Sequence, residues 1–438
     1  MTRTTMASLD KACIPQTLLY ALQRQGLART FVLYADGTTG KTRIACDPIA
    51  RVRVDATHVS LTAKALGIAH REPVVDPFAQ VASLLQRLPL RSFRAFGYLG
   101  FDLAASYFKY PRQPTDFPVL DLMVPTSEFC LGTSCTQFRT LGDPEPVFAA
   151  IHGDAPPPAL PQPTALPIQA AAALDDGYIQ RVADLIARIR PGGLSKAIIS
   201  RRVAITGTLD PLATLATAAR NNQAPRSYAF DLGETRGAGF SPEIFLQSPN
   251  GRQVLTNPLA GTRPRGANDT EDERRRYELH HDPKEVKEHA MSVVCVQDEL
   301  REVCGTVSVR DFMEIKQFRS VQHLSSRLHG CLRSDKSVWD AARILFPGVT
   351  VSGIDKARAL EAIGELEGQS RGIYGGAFGW IDDRSRTDFA IAIRSVYQVG
   401  SDVCLNAGAG IVRESIPENE YIESVNKMNT MLENVVLV

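Results

Sequence analysis

The sequence lacks long hydrophobic runs, and no apolar stretch reaches the roughly 18 residues of a membrane span. Its first residues, Met1 to Cys13, have no apolar core of the kind that marks a signal peptide. Excess charge is also missing, since 49 basic residues face 48 acidic ones, so no overall field attracts nucleic acid or a membrane surface. We therefore expect a cytoplasmic protein whose partner is a small molecule.

Clustered cysteine is absent as well. The chain has eight cysteines, and the closest pair, Cys130 and Cys135, lacks the C-x-x-C spacing. No grouping of cysteine and histidine has the spacing of a zinc site. A chain of 438 residues does not need disulfides to build a core, so reduced thiols are expected.

The order of the elements predicts three parts. Residues 1–152 alternate short apolar runs with turns, and residues 153–172 form a proline-rich loop or linker with six prolines between 154 and 167. Residues 173–438 contain strand patterns interrupted by single helices, the first capped by Asp175. Because sheets and helices do not alternate regularly, the pattern favours a large α+β unit with antiparallel sheets.

Near the C-terminus a glycine segment, Gly408 to Gly410, precedes a helix, and we interpret it as a turn whose amides can face an anion. On the helix, Glu420, Glu423 and Lys427 fall on one side at helical spacing. They predict either a cation site next to a bound carboxylate or a solvated face with an ordinary Glu423–Lys427 pair.

A second helix has three agreeing start signals: Asp282 as N-cap, Pro283 at the first position and Glu285 at the third. Glu285 and Glu288 lie three residues apart on it. The alternatives are a solvent-facing helix or a second pair of metal ligands. Four acids on two helices would need a cation between them, or most would be forced to protonate.

Other segments carry residues that packing alone does not explain. Lys196 opens an apolar strand, where it is either a solvated edge residue or a lysine dry enough to act as a base. Glu243 follows a Ser-Pro turn, and Gly261 allows close approach of a ligand beside the hydroxyl and amide of Thr262. His323 is isolated in an apolar strand, and it is either a core histidine or the border of a cleft.

Two more residues, Tyr374 and Arg394, are predicted on strands. Together with the four acids, two lysines and two glycine segments, they suit a small dianionic substrate. Such a substrate would be held by a divalent metal and by Arg and Lys, with a separate acid and base for proton transfer.

These segments resemble the chorismate-utilising enzymes: anthranilate synthase component I, isochorismate synthases and salicylate synthases. The resemblance spans residues 175–438 in the right order, whereas the first 150 residues match loosely at Ala95 to Phe101. The motifs that carry it are Pro-Leu-Ala-Gly-Thr-Arg at 258–263, Lys284 to His289, Ser320 to Leu324, Leu345 to Gly353 and Ala407 to Ile411.

The resemblance implies a single large fold similar to that of anthranilate synthase component I, in which two antiparallel sheets pack together with helices outside. It also implies Mg²⁺. Family members that add ammonia to the ring generally lack a lysine at the position of Lys196, and members that attack with their own lysine carry it where Ala260 stands. This pattern is similar to that of water-adding members, and Thr350 is most similar to salicylate synthases.

The implied reaction is Mg²⁺-dependent conversion of chorismate, through isochorismate, to salicylate and pyruvate. It would serve a siderophore or a related metabolite and would need no glutaminase subunit. The alternatives are an isochorismate synthase, which stops at the intermediate, and an anthranilate synthase component I, which uses ammonia. A departure from relatives is Asp355, where proline is usual, and it is expected to make the loop after Thr350 less rigid.

The resemblance also assigns roles. Lys196 would activate water, Glu243 would protonate the departing hydroxyl, and His323 and Thr350 would border the pyruvate-releasing step. The metal would be bound by Glu288 and Glu423, with waters held by Glu285 and Glu420. The substrate would be bound by a further set of residues, namely Gly261, Thr262, Tyr374, Arg394, Gly408, Ala409, Gly410 and Lys427.

Overall fold

A computed structural model of the chain describes residues 5–9, 14–111, 115, 117–132, 136–152, 177–318 and 321–438. The proline-rich segment predicted at 153–172 lies outside these residues. No helix within the described ranges is both long enough and apolar enough to cross a membrane.

Strands supply most of the framework. They are β1 (Thr5–Leu9), β2 (Phe31–Asp36), β3 (Lys41–Val54), β4 (His58–Ala63), β5 (Ile68–Pro73), β6 (Arg94–Leu99), β7 (Leu120–Leu131), β8 (Thr136–Thr140), β9 (Lys196–Thr206), β10 (Arg226–Asp231), β11 (Thr235–Ser241), β12 (Ile244–Ser248), β13 (Gln253–Thr256), β14 (Leu259–Pro264), β15 (Cys304–Gln317), β16 (Val321–Leu332), β17 (Gly353–Ile354), β18 (Ala377–Asp382), β19 (Thr387–Ile391), β20 (Ser395–Val399) and β21 (Asp402–Ile411).

The helices are α1 (Pro15–Arg24), α2 (Pro77–Gln86), α3 (Glu145–His152), α4 (Tyr178–Ile189), α5 (Pro211–Asn221), α6 (Asp269–His281), α7 (Pro283–Arg301), α8 (Val338–Leu345), α9 (Lys356–Glu367) and α10 (Pro417–Leu432). Short 3₁₀ helices occupy Lys64–Leu66 and Phe101–Ser106.

Most of the described strands pair antiparallel in two series that share the long strand β3, and β8 joins β7 to β1 beside the first series. One series runs β5, β4, β3, β7, β6, β18, β19, β12, β13 and β16, and β16 also pairs with β14 and β15. The other runs β3, β2, β10, β11, β20, β21, β9 and β17. The two halves of the chain therefore contribute neighbouring strands to the same sheets.

The two series pack face to face through a buried aromatic cluster. Tyr228 and Phe230 from β10 stack on Phe378 from β18, with ring centroids 4.2 Å and 4.9 Å apart. Such ring pairs bury large apolar surfaces and add favourable stacking. The α+β architecture with two packed antiparallel sheets is thus confirmed.

Helix starts follow the sequence signals in one case and depart from them in another. Asp282 caps α7, because its Oδ1 accepts from the amides of Lys284 and Glu285 at 2.9 Å and 3.2 Å. Helix α4 instead has Gly177 as its N-cap without a side-chain bond, and Asp175 lies outside the described residues. The predicted aspartate cap is therefore not the N-cap of this helix.

The loop after Thr350 is anchored rather than loosened. Asp355 caps α9 by accepting from the Arg358 amide at 3.2 Å. Just before it, the carbonyl of Ile354 accepts from Ser195 at 2.6 Å, and the carbonyl of Ser352 accepts from Ile198 at 2.9 Å. These bonds tie the loop to the strand that begins at Lys196, so the expectation of a looser loop is wrong.

Candidate active site

A cavity opens where the two strand series face helices α7 and α10. Its lining includes thirteen of the predicted site residues, which are Lys196, Glu243, Gly261, Glu285, Glu288, His323, Thr350, Tyr374, Arg394, Gly408, Gly410, Glu423 and Lys427. Among the described side chains, those of Ala409 and Glu420 are not part of the lining. Segments far apart in sequence therefore meet around a single cavity.

Lys196 lies at the start of β9 and is 1% exposed. Its Nζ lies 3.0 Å from Glu288 Oε1 and donates to Ser292 Oγ at 3.3 Å. The strand begins beside the Thr350 loop, because Lys196 pairs with Ile354 of β17. This geometry contradicts a solvated edge lysine and places the amine in a dry site next to a carboxylate.

Glu243 lies between β11 and β12 and is 4% exposed. Its Oε1 accepts from Thr350 Oγ1 at 2.6 Å and from the Leu259 amide at 3.4 Å. Burial raises the pKa of Glu243 to about 7, against the lowering effect of these two donors. A carboxyl group with this pKa can exist as an acid at neutral pH, as a proton donor requires.

His323 bridges Gly261 and Arg394. Its Nδ1 lies 3.0 Å from the Gly261 carbonyl, and its Nε2 lies 3.1 Å from Arg394 Nη2. Because a guanidinium only donates, Nε2 accepts and Nδ1 carries the hydrogen. Burial, with Arg394 beside it, lowers the pKa of His323 to about 3, so the ring is neutral. In this arrangement His323 orients Arg394.

Arg394 and Tyr374 lie at breaks in the strands rather than within them, which corrects the sequence prediction. Arg394 has φ +49° between β19 and β20, and Tyr374 lies in the turn before β18. Burial lowers the pKa of Arg394 to about 10, so the guanidinium stays charged at neutral pH. The breaks turn both side chains out of the ladder and towards the cavity.

The segment Gly408 to Gly410 is not a turn, because it forms part of β21 and pairs with Ile198 to Ser200 of β9. Successive side-chain positions of a strand face opposite sides, so Gly408 and Gly410 face the cavity whereas Ala409 faces the core. The Ala409 amide donates to Tyr178 Oη at 3.2 Å. The prediction that these three amides form an anion-binding turn is therefore wrong.

Gly408 still contributes to the site through its backbone. Its amide hydrogen-bonds the hydroxyl of Tyr374, and its carbonyl accepts from Lys427 Nζ at 3.0 Å. Lys427 also lies 2.6 Å from Glu423. Burial alone would lower the pKa of Lys427, but the charge of Glu423 and its hydrogen bond hold this pKa above its usual value. A charged lysine thus lies beside the tyrosine and the arginine.

The four glutamates each face a basic side chain, which corrects the argument that they need a metal to stay ionised. The pairs are Glu285–Arg263 at 3.2 Å, Glu288–Lys196 at 3.0 Å, Glu420–Lys284 at 2.6 Å and Glu423–Lys427 at 2.6 Å. Within the described ranges, no group of three or more His, Cys, Asp or Glu side chains is arranged to hold a metal ion.

The chemical type of these donors nevertheless suits a hard divalent cation. Glu285, Glu288 and Glu423 line one cavity, and Glu285 senses both of the others. Burial raises the pKa of Glu285 above its usual value, and the negative charges of Glu288 and Glu423 raise it further. Carboxylate oxygens that repel one another in this way are the ligands that Mg²⁺ prefers.

Two glycines make room for these carboxylates. A Cβ atom on Gly410 would lie 2.6 Å from Glu288 Oε1 and 3.2 Å from Lys196 Cε. On Gly261, which has φ +64°, it would lie 2.9 Å from Glu285 Oε2. A side chain at either position would therefore occupy space that the glutamates use. At position 261 the positive φ is a second reason for glycine.

Sequence reasoning did not assign roles to four groups near the site: Arg263, Lys284, Ser292 and Asn406. Asn406 lines the cavity two residues before Gly408, so the period of a strand would have found it. Ser292 follows Glu288 by one helical turn, so the period of a helix would have found it. The side chain of Thr262 is not among those described.

Comparisons with known proteins show which family this chain belongs to. A family model described as chorismate binding enzyme matches residues 29–433. Anthranilate synthase component 1 of Methanothermobacter thermautotrophicus is 39% identical over 262 residues, 59% of this chain and 56% of that protein. Salicylate synthase of Mycolicibacterium paratuberculosis is 39% identical over 256 residues, 58% of this chain and 57% of that protein.

The match thus spans little more than half the length of each of these two relatives. Among solved structures, the menaquinone-specific isochorismate synthase of Escherichia coli is similar with a TM-score of 0.74 and 20% identity. That match covers 98% of this chain and 95% of the other. On the fold, the cavity and the family match over most of its length, this chain belongs to the chorismate binding enzyme family.

Proposed function

We propose that this protein converts chorismate, through isochorismate, to salicylate and pyruvate. The observation that carries the proposal is the pairing of a buried lysine with a buried, protonatable carboxyl group on one cavity. Lys196 is 1% exposed, and burial raises the pKa of Glu243 to about 7. A base and an acid at separate positions suit the exchange of one hydroxyl group for another on the same ring.

The proposed first step moves two protons. Lys196 takes a proton from water as the water oxygen bonds to C2 of the ring. Glu243 gives its proton to the C4 hydroxyl as the C4–O bond breaks, and the ring double bonds shift. One water is consumed and one is released, so the product is an isomer of chorismate.

Three cationic or hydroxyl groups at one end of the cavity suit the enolpyruvyl carboxylate. Arg394 is oriented by His323 at 3.1 Å, and Lys427 bonds the Gly408 carbonyl at 3.0 Å. Tyr374 lines the cavity beside them and accepts from the Gly408 amide. Charge-assisted bonds of this kind are the strong ones in a buried site.

The proposed metal site is the group of glutamates on α7 and α10. Glu288 and Glu423 would bind Mg²⁺ directly, and Glu285 and Glu420 would hold its waters. When bound, Mg²⁺ would stabilise negative charge on the ring carboxylate. Each glutamate now faces a basic side chain, so binding of the cation requires these ion pairs to rearrange.

The second step releases pyruvate by a rearrangement that transfers a hydrogen inside the substrate. Such a step depends on the conformation in which the substrate is held more than on a strong base. The neutral His323 and the Thr350 hydroxyl, which is bonded to Glu243, suit this requirement because neither is poised as a base.

Two other products have specific support. Anthranilate synthase component 1 of an archaeon is as similar to this chain as the salicylate synthase is. An isochorismate synthase shares the fold. Lys196 favours the water-adding reactions, because the ammonia-adding enzymes that this sequence resembles generally lack a lysine at that position.

The decisive experiment incubates the purified protein with chorismate and follows the products by chromatography over time, with and without Mg²⁺ and ammonium. We expect salicylate and pyruvate in equal amounts, only with Mg²⁺ and without need of ammonium. Isochorismate that accumulates without pyruvate would identify an isochorismate synthase. Anthranilate formed only with ammonium would identify the third activity and overturn the proposal.

Lys196→Gln tests the assigned base. The amide cannot take a proton from water, so formation of isochorismate and of salicylate from chorismate should be lost. Release of pyruvate from supplied isochorismate should persist. Lys287→Gln is the matched control, because Lys287 lies exposed on α7 and pairs with Glu414. If Lys196→Gln retains both activities, another group is the base.

A further inference from the structure

Ser292 is a buried hydroxyl group next to the amine of Lys196. It lies on α7 one turn after Glu288 and is 0% exposed. Its Oγ donates to the backbone carbonyl of Glu288 at 2.9 Å and accepts from Lys196 Nζ at 3.3 Å. Because its one hydrogen is committed to that carbonyl, Ser292 can only accept from the lysine.

The amine of Lys196 can donate to more than one acceptor. Two acceptors lie within reach of the amine, namely Ser292 Oγ at 3.3 Å and Glu288 Oε1 at 3.0 Å. Glu288 is a proposed metal ligand, and its contact with Lys196 would rearrange when the cation binds, so Ser292 is the acceptor that would stay with the amine. Lys196 lines the cavity with Glu243, so the direction in which the amine is held decides how it meets a water there.

We propose that Ser292 is a positioning residue, which holds the Lys196 amine at the wall of the cavity, towards the water that adds to the ring. The proposal rests on the proposed function. In the first step the lysine nitrogen gains the proton of that water, while the serine keeps its own hydrogen. Ser292 therefore acts through the direction of the amine and not through proton transfer.

The other groups around the amine do not supply this bond. The ring of His289 lies 2.8 Å from Ser326 Oγ, and Cys295 Sγ is directed to Glu299 at 3.9 Å. Between Lys196 and Glu243 the interaction is one of charge, in which Lys196 lowers the pKa of Glu243. Among the described residues, Ser292 is thus the neutral acceptor that Lys196 contacts.

Ser292→Ala removes the acceptor with little change in volume and keeps a residue that favours helix. We expect kcat for isochorismate formation from chorismate to fall roughly 10- to 100-fold, as for a misplaced catalytic group. KM should stay within about twofold and pyruvate release from supplied isochorismate should be unchanged, since positioning acts on the lysine step alone. Ser292→Cys keeps a weak acceptor of similar size, so its kcat for isochorismate formation should lie between those of wild type and Ser292→Ala.

The matched control is Thr217→Val. Thr217 is a buried helical hydroxyl that bonds the carbonyl four residues earlier at 2.9 Å, as Ser292 does, and it lies on α5 away from the cavity. We expect it to keep both activities. Equal loss of both activities in Ser292→Ala and Ser292→Cys, or no loss in either, would overturn the positioning role.

Failure of the proposed function would look different, because wild-type protein would then not form isochorismate with water at all. In that case crystal structures of wild type and Ser292→Ala still test the inference. We expect Lys196 Nζ to move from its place between Glu288 and residue 292 in the variant. An unmoved Nζ would overturn the inference.

Discussion

Opposing effects set the pKa of Glu243 close to neutral pH. Burial at 4% exposure disfavours the carboxylate, whereas Thr350 and the Leu259 amide donate hydrogen bonds that favour it. Burial is the larger effect, and it raises the pKa of Glu243 to about 7. The side chain can therefore serve as an acid at the pH where Arg394 remains charged.

The pH dependence of the reaction should follow from this pKa. Only protonated Glu243 can donate to the departing hydroxyl, so isochorismate formation should decline as pH rises above about 7. Glu243→Gln should lower kcat by roughly 10²- to 10⁴-fold. Thr350→Val removes the hydrogen-bond donor that favours the carboxylate of Glu243, so the pKa of Glu243 should rise further. The decline of activity at alkaline pH should therefore begin at a higher pH in this variant. If the decline begins at the same pH as in wild type, the titration of another group causes it.

Stability should report the same group. Because the folded pKa is above the ordinary value of 4.5, the folded protein keeps a proton that the unfolded chain releases. This contribution is present below about pH 4.5 and is lost as pH rises through about 7. Wild type should lose roughly 3 kcal/mol of unfolding free energy over this window relative to Glu243→Gln. Parallel pH profiles from denaturant titration would contradict this.

Strand β21 works as an element with two different faces. Val403 and Leu405 belong to one hydrophobic core, whereas Gly408 and Gly410 of the same strand line the cavity. Gly410 leaves the space that Glu288 and Lys196 fill, and Gly408 leaves room for the backbone of β9 at Ile199. The strand thus closes the cavity with backbone where a side chain would block it.

Gly410→Ala should damage the site while the fold survives. The added methyl group would lie 2.6 Å from Glu288 Oε1, the movable end of a side chain, so the Lys196–Glu288 contact should give way before the strand does. We expect kcat for isochorismate formation to fall at least about tenfold. Gly305→Ala on β15 is the control, because its methyl group would meet only Arg333 at 3.9 Å. Full activity of Gly410→Ala would contradict this account.

Helix α7 carries Glu285, Glu288 and Ser292 on consecutive turns, and its start is set by Asp282. The cap bonds two amides, and Oδ2 also pairs with Arg263 at 2.7 Å. Arg263 in turn contacts Glu285 at 3.2 Å. The capping residue therefore links the start of the helix to the glutamates of the site.

Asp282→Ala should cost about 1 kcal/mol of unfolding free energy and also reduce activity. Asp210→Ala provides the matched control, since Asp210 caps α5 in the same Asp-Pro arrangement away from the cavity. We expect similar destabilisation from both but loss of activity only from Asp282→Ala. Equal activity in the two variants would show that the cap does not position the site.

For the whole molecule, buried ion pairs join strands from both halves of the sequence. Arg226 of β10 is 2% exposed, and its guanidinium contacts Asp388 of β19 at 2.8 Å and Asp36 of β2 at 2.6 Å. Tyr34 also donates to Asp388 at 2.9 Å. The two strand series are thus joined by polar contacts as well as by stacked rings.

Asp388→Ala should destabilise the whole fold. Removal of one partner leaves the buried guanidinium of Arg226 incompletely paired, and such changes cost about 3 kcal/mol or more. Glu365→Ala is the control, because its pair with Arg188 is more than 40% exposed and should cost under about 1 kcal/mol. Thermal unfolding of Asp388→Ala should remain a single transition, with its midpoint shifted to lower temperature. A similar small effect in both would contradict a coupled fold.

Local patterns predicted much of this molecule. The strand at Lys196, the helix that begins after Asp282 and the α10 helix with Glu420, Glu423 and Lys427 all follow from spacing and caps. The errors fall where the backbone serves the site. Gly408 to Gly410 pair with a distant strand, so their glycines reflect crowding by other segments rather than a turn.

The sequence by itself determined the elements, the family resemblance and the kinds of ionisable group, because these depend on neighbours a few residues away. Only the tertiary structure decided that Lys196 meets Glu288 and Ser292, that Glu243 is buried against Thr350 and that His323 orients Arg394. Protonation and direction depend on desolvation and on partners up to hundreds of residues away in sequence. No local pattern records them.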